Sequence, residues 1–260
     1  MKRELQIFFT AVMYYTRIPV PKWVNHDPTF LSLATRYVPL IGWIVGGVYS
    51  AVILLAQVFF LPEWPSLLLG LAASVLLTGA FHEDGFADTC DGFGGGWTKD
   101  KILLIMKDSR VGTYGVVGIA LMLAIKLSTT YELMGMTTPQ LVTMLIASHS
   151  VSRFMSASII RFSTYAREDQ DAKAKPVATG FSMGGWLVAM VFAAVPLVLF
   201  MLQTHWFYVL TLVPMTAVTL YLSRYFTKWI GGYTGDCLGA TQQVNEVVFL
   251  LSLLAIWRSY

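Results

Sequence analysis

Runs of about 20 apolar residues recur along the chain, separated by short polar connections. A helix of that length crosses the roughly 30 Å hydrocarbon core of a bilayer at 1.5 Å per residue. The pattern predicts seven such spans, at about residues 38–61, 65–82, 114–135, 139–160, 184–204, 206–223 and 236–257. It indicates an all-α fold, a polytopic integral membrane helical bundle. Because no repeat or linker divides the sequence, we expect a single transmembrane domain over residues 1–260.

A shorter apolar run follows the basic start Lys2–Arg3 and stops at Pro19 and Pro21. It lacks a small-residue cleavage site and meets Arg17 early, so it does not resemble a cleaved signal peptide. The run predicts an interfacial or partly inserted N-terminal helix that ends before the prolines.

Composition supports a membrane protein rather than a soluble domain. Hydrophobic residues make up 56% of the chain and charged residues 13%, against about 25% charged in soluble domains. The two cysteines, Cys90 and Cys237, provide no disulfide framework. The formal net charge is only +3. We therefore expect the protein to interact with the lipid bilayer and not with nucleic acid. The sequence leaves open whether it forms a homo-oligomer.

Lysine and arginine lie almost entirely on one side of the predicted spans. The connections at 62–64, 136–138 and 205 contain neither residue, and only Arg258 follows the last span. Lys126 and Arg153 lie inside predicted spans. The remaining basic residues all lie on the other side of the spans: Lys2, Arg3, Arg17, Lys22, Arg36, Lys99, Lys101, Lys107, Arg110, Arg161, Arg167, Lys173, Lys175, Arg224 and Lys228. The positive-inside rule predicts that the N-terminus and the long loops are cytoplasmic, and with them any active site.

The most informative polar segment is GAFHEDGFADTCDGFGGG at residues 79–96. If it is helical, Asp84, Asp88 and Asp91 fall within an arc of roughly 60°. Their mutual repulsion is relieved by a divalent cation, and hard oxygen ligands favour Mg²⁺ or Mn²⁺. Glu83 projects about 100° away from this stripe, so it is either a further metal ligand or a residue behind the ligands. A solvated helix end is the plain structural alternative.

A basic block, IMKDSRVGTYG, occupies residues 105–115. Arginine binds phosphate through two parallel N–H groups and lysine acts as a point charge, so Arg110 and Lys107 are candidates for phosphate contacts. Asp108 and Ser109 add oxygen atoms that can contact substrate. The alternative is a positively charged anchor before the third span.

A third block, GGYTGDCLGATQQVNE, opens the last span at residues 231–246. Its small residues are typical of close helix packing, but Asp236 and Glu246 at membrane depth are candidates for a functional site. Arg153 and Lys126 lie within spans. Each can neutralise one of these acids or contact substrate, and a structural pairing is the preferred interpretation for Lys126.

These three blocks, with FFTAVMYYTRIPVP near the N-terminus and PLIGWIVGG in the first span, resemble the cobalamin synthase family, the adenosylcobinamide-GDP ribazoletransferases. The resemblance covers nearly the whole chain. It implies a Mg²⁺-dependent enzyme of the bacterial cytoplasmic (inner) membrane. Its substrates would be adenosylcobinamide-GDP and α-ribazole or α-ribazole 5′-phosphate, and its products adenosylcobalamin or its 5′-phosphate, and GMP.

The resemblance also assigns roles to the candidate residues. The implied metal ligands are Glu83, Asp84, Asp88 and Asp91, and the implied catalytic residues are Asp84, Asp88, Asp91, Lys107 and Arg110. The implied substrate-binding residues are Asp108, Ser109, Arg153, Asp236 and Glu246.

Three other functions stay open at this stage. A membrane prenyltransferase also binds a magnesium pyrophosphate, and a CDP-alcohol-type phosphotransferase breaks a pyrophosphate over clustered aspartates. A secondary transporter is the non-enzymatic alternative, although transporter sites usually lie near the membrane midplane in matched halves of the chain.

Overall fold

The computed structural model describes residues 2–24, 28–166 and 181–259. Helices make up nearly all of these ranges, and their only β pairing is a single bridge between Tyr165 and Tyr233. The helices are α1 (Lys2–Tyr15), α2 (Pro28–Ala34), α3 (Val38–Val58), α4 (Glu63–Thr78), α5 (Phe81–Gly95), α6 (Lys99–Ile105), α7 (Thr113–Glu132), α8 (Thr138–Phe162), α9 (Met183–Gln203), α10 (Leu212–Ile230) and α11 (Gly235–Trp257). Short 3₁₀ turns precede α3 and α10. The predicted all-helical membrane bundle is confirmed.

Helix α8 lies at the centre of the bundle, against α3, α9 and α11. Small residues let the backbones approach closely: a Cβ on Gly42 would lie 2.5 Å from the carbonyl oxygen of His149. The hydroxyl of Ser150 donates to the carbonyl of Pro39 at 2.9 Å. Ser150 is therefore hydrogen-bonded inside the protein rather than exposed to lipid.

A long helix occurs at each of the seven predicted span positions. Five segments are long and apolar enough to cross a membrane: Thr29–Val58, Thr113–Glu132, Met183–Gln203, Trp206–Ile230 and Gly235–Trp257. The pair α4 and α5 would add a sixth if counted together. Helix α8 is not among them, because it carries many serines and Arg153. The number of spans therefore stays a prediction.

Two boundaries differ from the prediction. The second span does not continue to residue 82: α4 ends at Thr78, and α5 leaves it at an angle of 87°. Gly79 and Ala80 both adopt left-handed backbone conformations, with φ of 65° and 58°, which no apolar pattern reveals. At the sixth predicted span, α10 continues to Ile230, well past the predicted end at residue 223, and Gly231 caps it with φ of 80°.

The long loops meet at one end of the bundle, here called the site end. There α6 packs with the end of α8, the start of α9 and residues 226–237. The opposite, far end carries the short connections, where the side chain of Gln140 donates to the carbonyl of Gln203 at 3.0 Å. Of the basic residues predicted at the cytoplasmic face, Arg167, Lys173 and Lys175 lie outside the described residues.

The N-terminal helix is confirmed, with an earlier end than the prolines suggest. Helix α1 stops at Tyr15 and packs on α2 and α3 through Ile7, Ala11 and Val12. The amide of Arg17 then donates to the carbonyl of Leu77 at 2.7 Å, so the segment after α1 closes the C-terminal end of α4.

Candidate active site

Helix α5 carries the acidic motif, and its carboxylates differ in exposure along the helix. The predicted helical conformation is confirmed, so Asp84, Asp88 and Asp91 do share one stripe. Asp84 is exposed, Asp88 is half-buried and Asp91 is buried. Asp84 and Asp88 are therefore the members of the stripe that an incoming ligand can reach.

Asp91 caps the N-terminal end of α7. Its two carboxylate oxygens accept hydrogen bonds from the amides of Gly112 at 2.7 Å and Gly115 at 2.8 Å. A negative charge is favourable at this end of a helix, where amides lack partners within the helix. Gly112 and Gly115 leave room for it, because a Cβ at either position would collide with the carboxylate. The two glycines of the GTYG sequence are thus explained by Asp91.

The loop between α6 and α7 holds the basic block at the surface. The guanidinium of Arg110 pairs with Asp108 through Nη2–Oδ2 at 2.7 Å and Nε–Oδ1 at 3.1 Å. These hydrogen bonds lower the pKa of Asp108 to about 2, so the pair stays charged at any ordinary assay pH. The Arg110 side chain is 88% exposed, and Lys107 and Ser109 are exposed as well. The loop therefore offers cationic groups to solvent with Arg110 already oriented.

The start of α11 lies directly against α5. A Cβ on Gly85 would lie 3.0 Å from the Cα of Asp236, and one on Gly239 would lie 3.0 Å from the carbonyl of His82. This backbone contact brings half-buried Asp236 to the turn of α5 that carries Asp84 and Asp88. Burial raises the pKa of Tyr14, and Tyr165 and the charge of Asp236 add to this effect.

Below this contact lies a buried polar network. Glu246 is 2% exposed and pairs through Oε1 with Lys126 Nζ at 2.5 Å. Its Oε2 accepts from Gln242 Nε2 at 2.6 Å and lies 3.2 Å from His149 Nδ1. The expected structural pairing of Lys126 is confirmed, with Glu246 as its partner. Both carboxylate oxygens of Glu246 therefore have partners within the bundle.

Two further predicted residues belong to this network. Arg153 is 2% exposed and donates from Nη1 to the carbonyl of His149 at 2.9 Å. Glu83 is buried and points away from the aspartate stripe toward α11, where its Oε1 accepts from Gln243 Nε2 at 2.9 Å. The structure brings Glu83, Arg153 and Glu246 into the protein interior and leaves the basic loop at the surface. Their roles in binding substrate or metal stay predictions.

The carboxylates of α5 are compatible with a magnesium ion for which the protein provides some of the ligands and a bound substrate provides the others. Among the described residues, no three His, Cys, Asp or Glu side chains are grouped closely enough to hold a metal by themselves. Mg²⁺ commonly takes only one or two carboxylates together with water and phosphate oxygens. Asp84 and Asp88, one helical turn apart and accessible, provide such a partial set.

Sequence reasoning missed several of these contacts. Gln243 and His149 lie within α11 and α8, and nothing in the spacing marks them as partners of Glu83 and Glu246. A Cβ on Gly79 would collide with the Arg17 guanidinium, although the two residues are more than 60 positions apart in the sequence. A usable signal existed only for Gly112 and Gly115, because two glycines at the start of an apolar run indicate close approach of another group.

The family model described as cobalamin-5-phosphate synthase matches residues 7–254, which include all three polar blocks. The chain belongs to this family. A Shewanella frigidimarina protein named adenosylcobinamide-GDP ribazoletransferase is 42% identical over 257 residues, covering 99% of this chain and 97% of that protein. Proteins of the same name from Shewanella piezotolerans and Shewanella oneidensis are 40% and 42% identical, covering 100% and 98% of this chain and 98% and 95% of their own lengths. No solved structure matches the chain.

Membership of the cobalamin-5-phosphate synthase family confirms the resemblance inferred from the polar blocks. It also confirms that the chain is an enzyme of cobalamin synthesis and selects that prediction over the prenyltransferase and transporter alternatives. The likeness to CDP-alcohol phosphotransferases remains one of chemistry, without evidence of a shared fold.

Proposed function

We propose that the chain joins adenosylcobinamide-GDP to α-ribazole or α-ribazole 5′-phosphate at the site end of the bundle. The ribose 3′-hydroxyl oxygen bonds to the corrinoid-side phosphorus of the pyrophosphate, and the bond from that phosphorus to the bridging oxygen breaks. GMP leaves with the bridging oxygen, and the hydroxyl proton passes to a carboxylate. The products are adenosylcobalamin or its 5′-phosphate, and GMP.

The observation that carries this proposal is the accessible carboxylate pair Asp84 and Asp88 on α5, in a chain that belongs to the cobalamin-5-phosphate synthase family. Phosphoryl transfer depends mainly on positioning and charge stabilisation, and this requires anchored charges that remain open to substrate. Asp84 and Asp88 would hold Mg²⁺, with Mn²⁺ as a substitute. When bound, the ion offsets the charge of the pyrophosphate and of the leaving GMP.

The remaining residues act on substrate or on the position of α5. Arg110 and Lys107 bind phosphate oxygens. While substrate is absent, the two hydrogen bonds to Asp108 keep the guanidinium of Arg110 oriented. Ser109 adds a hydroxyl to the same loop. Asp236, at the contact between α5 and α11, would bind the nucleoside or help to hold the metal.

Asp91 fixes the start of α7 beside the carboxylate pair, and Glu246 and Arg153 hold the interior of the bundle behind it. We place the protein in the cytoplasmic membrane of a bacterium with the site end in the cytoplasm. The argument is that basic residues are concentrated at that end and that GMP is a cytoplasmic product.

The direct test uses purified protein in detergent with Mg²⁺, adenosylcobinamide-GDP and α-ribazole. We expect GMP to be released in step with formation of the corrinoid product, and both to stop when the metal is chelated. A second reaction with α-ribazole 5′-phosphate identifies the preferred acceptor. Absence of GMP release with either acceptor from folded protein contradicts the proposal.

A further inference from the structure

The backbone alone does not fix the orientation of α5. The helix starts after two left-handed residues, Gly79 and Ala80, and Ala80 at the N-cap position provides no side-chain cap. Contacts from other helices must therefore determine where the aspartate stripe points. One such contact is already evident, because Asp91 holds the later part of α5 to the start of α7.

Beside the close backbone packing on α11, a second contact links the first turn of α5 to α11 and α7 through one buried amide. Gln243 Nε2 donates to Glu83 Oε1 at 2.9 Å, and Gln243 Oε1 accepts from Lys126 Nζ at 3.0 Å. Lys126 also pairs with Glu246 at 2.5 Å. Lys126 fixes the orientation of the amide: a lysine only donates, so the Gln243 oxygen faces Lys126 and the Gln243 N–H group faces Glu83. The relay Glu83–Gln243–Lys126 thus joins α5, α11 and α7.

The two contacts lie on either side of the accessible carboxylates. Glu83 and Asp91 are eight residues apart on α5, about 12 Å. The residues of α7 that the two contacts reach, Lys126 through Gln243 and Gly115 directly, are about 16 Å apart. Helix α5 therefore lies antiparallel to α7 and is held at both places, with Asp84 and Asp88 between them. We infer that Gln243 and Lys126 are positioning residues that set the orientation of the aspartate stripe through Glu83. This inference rests on the proposed function.

The chemistry of the relay makes the inference specific. A glutamate at position 243 would place a second carboxylate at hydrogen-bond distance from Glu83, without a proton between them. In a buried site such a like-charged pair is strongly unfavourable, so we expect the first turn of α5 to move away from α11. Exchanging the two residues restores the arrangement: a glutamine at 83 donates to a glutamate at 243, which still accepts from Lys126. The exchange keeps the net charge and the number of hydrogen bonds.

The experiment compares three variants in the GMP-release assay: Gln243→Glu, Glu83→Gln, and the double variant carrying both substitutions. We expect Gln243→Glu to lower kcat at least tenfold and to raise the Mg²⁺ concentration needed for half-maximal rate. The double variant should recover to within about threefold of wild type in both quantities. Gln203→Glu adds the same charge at an exposed position of the far end and should match wild type.

The outcomes separate the possible roles of Glu83. If Glu83 binds the metal directly, the double variant lacks that carboxylate and stays inactive, which overturns the inference. Wild-type activity in Gln243→Glu also overturns it. Should Gln243→Glu fail to fold, the double variant alone decides, and its failure to fold counts against the relay as well. Wild-type GMP release is measured first, because its absence contradicts the proposed function, whereas the ratios between variants test only the relay.

Discussion

At the scale of single residues, burial divides four neighbouring carboxylates into separate roles. Glu83 points into the bundle, Asp91 binds backbone amides, and Asp84 and Asp88 remain accessible. Helical spacing predicts that the three aspartates share a stripe. It cannot predict that both oxygens of Asp91 are occupied, because the two amides that bind it lie 21 and 24 residues away.

The accessible pair should be indispensable for turnover. We expect Asp84→Asn and Asp88→Asn each to lower the rate of GMP release at least about 100-fold, because an amide retains shape but loses the charge that binds a cation. Asp100→Asn removes an exposed charge from α6 and is the matched control, expected to leave the rate unchanged. Near-normal rates in both site variants, with membrane insertion intact, would eliminate the metal assignment.

Arg110 offers a test of phosphate binding against simple anchoring. Its guanidinium already makes a two-point contact with Asp108, a geometry that lysine cannot reproduce. We expect Arg110→Lys to reduce turnover at least about tenfold, roughly 1.4 kcal/mol of transition-state stabilisation. Lys107→Arg should reduce turnover less, because a lysine that acts as a point charge can be replaced by the larger charged group of arginine. The rate is measured as GMP release at matched protein insertion.

The comparison for Arg110 is Arg224→Lys, an exposed exchange elsewhere at the site end. The positive-inside rule counts lysine and arginine alike, so this variant should behave as wild type. If Arg110→Lys does so too, the basic block is only an anchor and the phosphate assignment is withdrawn.

At the scale of helices, the apolar runs predict where the long helices lie, and the packing between them decides what the site looks like. The bend at Gly79–Ala80 turns α5 away from α4 by 87°, and the contacts of α5 with α6, α7 and α11 hold it in that direction. Apolar patterns report which residues are buried, but not which helices are neighbours. For that reason the positions of the helices were predictable and the pairing of α5 with α7 and α11 was not.

The contact between α5 and α7 can be tested with one methyl group. An alanine at Gly115 would collide with the Asp91 carboxylate, so we expect Gly115→Ala to lower stability by about 1–3 kcal/mol and to reduce GMP release. Gly47→Ala is the control, because a Cβ there meets nothing within 4 Å. Thermal unfolding in detergent, followed by tryptophan fluorescence, measures both. An unchanged unfolding temperature and rate in Gly115→Ala would show that the cap does not constrain α5.

At the scale of the whole molecule, charge and architecture agree. The long loops gather at the site end together with α6 and the accessible carboxylates, whereas the far end is formed by short connections and carries few basic residues. Both substrates of the proposed reaction are polar at the reacting groups, and the released nucleotide is soluble in water. An enzyme with this layout works only if the site end faces the compartment that holds the nucleotides.

Orientation in the membrane is therefore the prediction on which the placement of the chemistry depends. Lys101 is exposed on α6 at the site end, and Gln203 is exposed at the far end of α9. With a membrane-impermeant thiol reagent, we expect Lys101→Cys to be labelled in lysed cells only and Gln203→Cys to be labelled in intact cells. Wild-type protein, whose Cys237 is buried and whose Cys90 is half-buried, gives the background. The reverse pattern would put the carboxylates of α5 outside the cytoplasm, away from GMP and its precursors, and the proposed reaction would then lack its substrates.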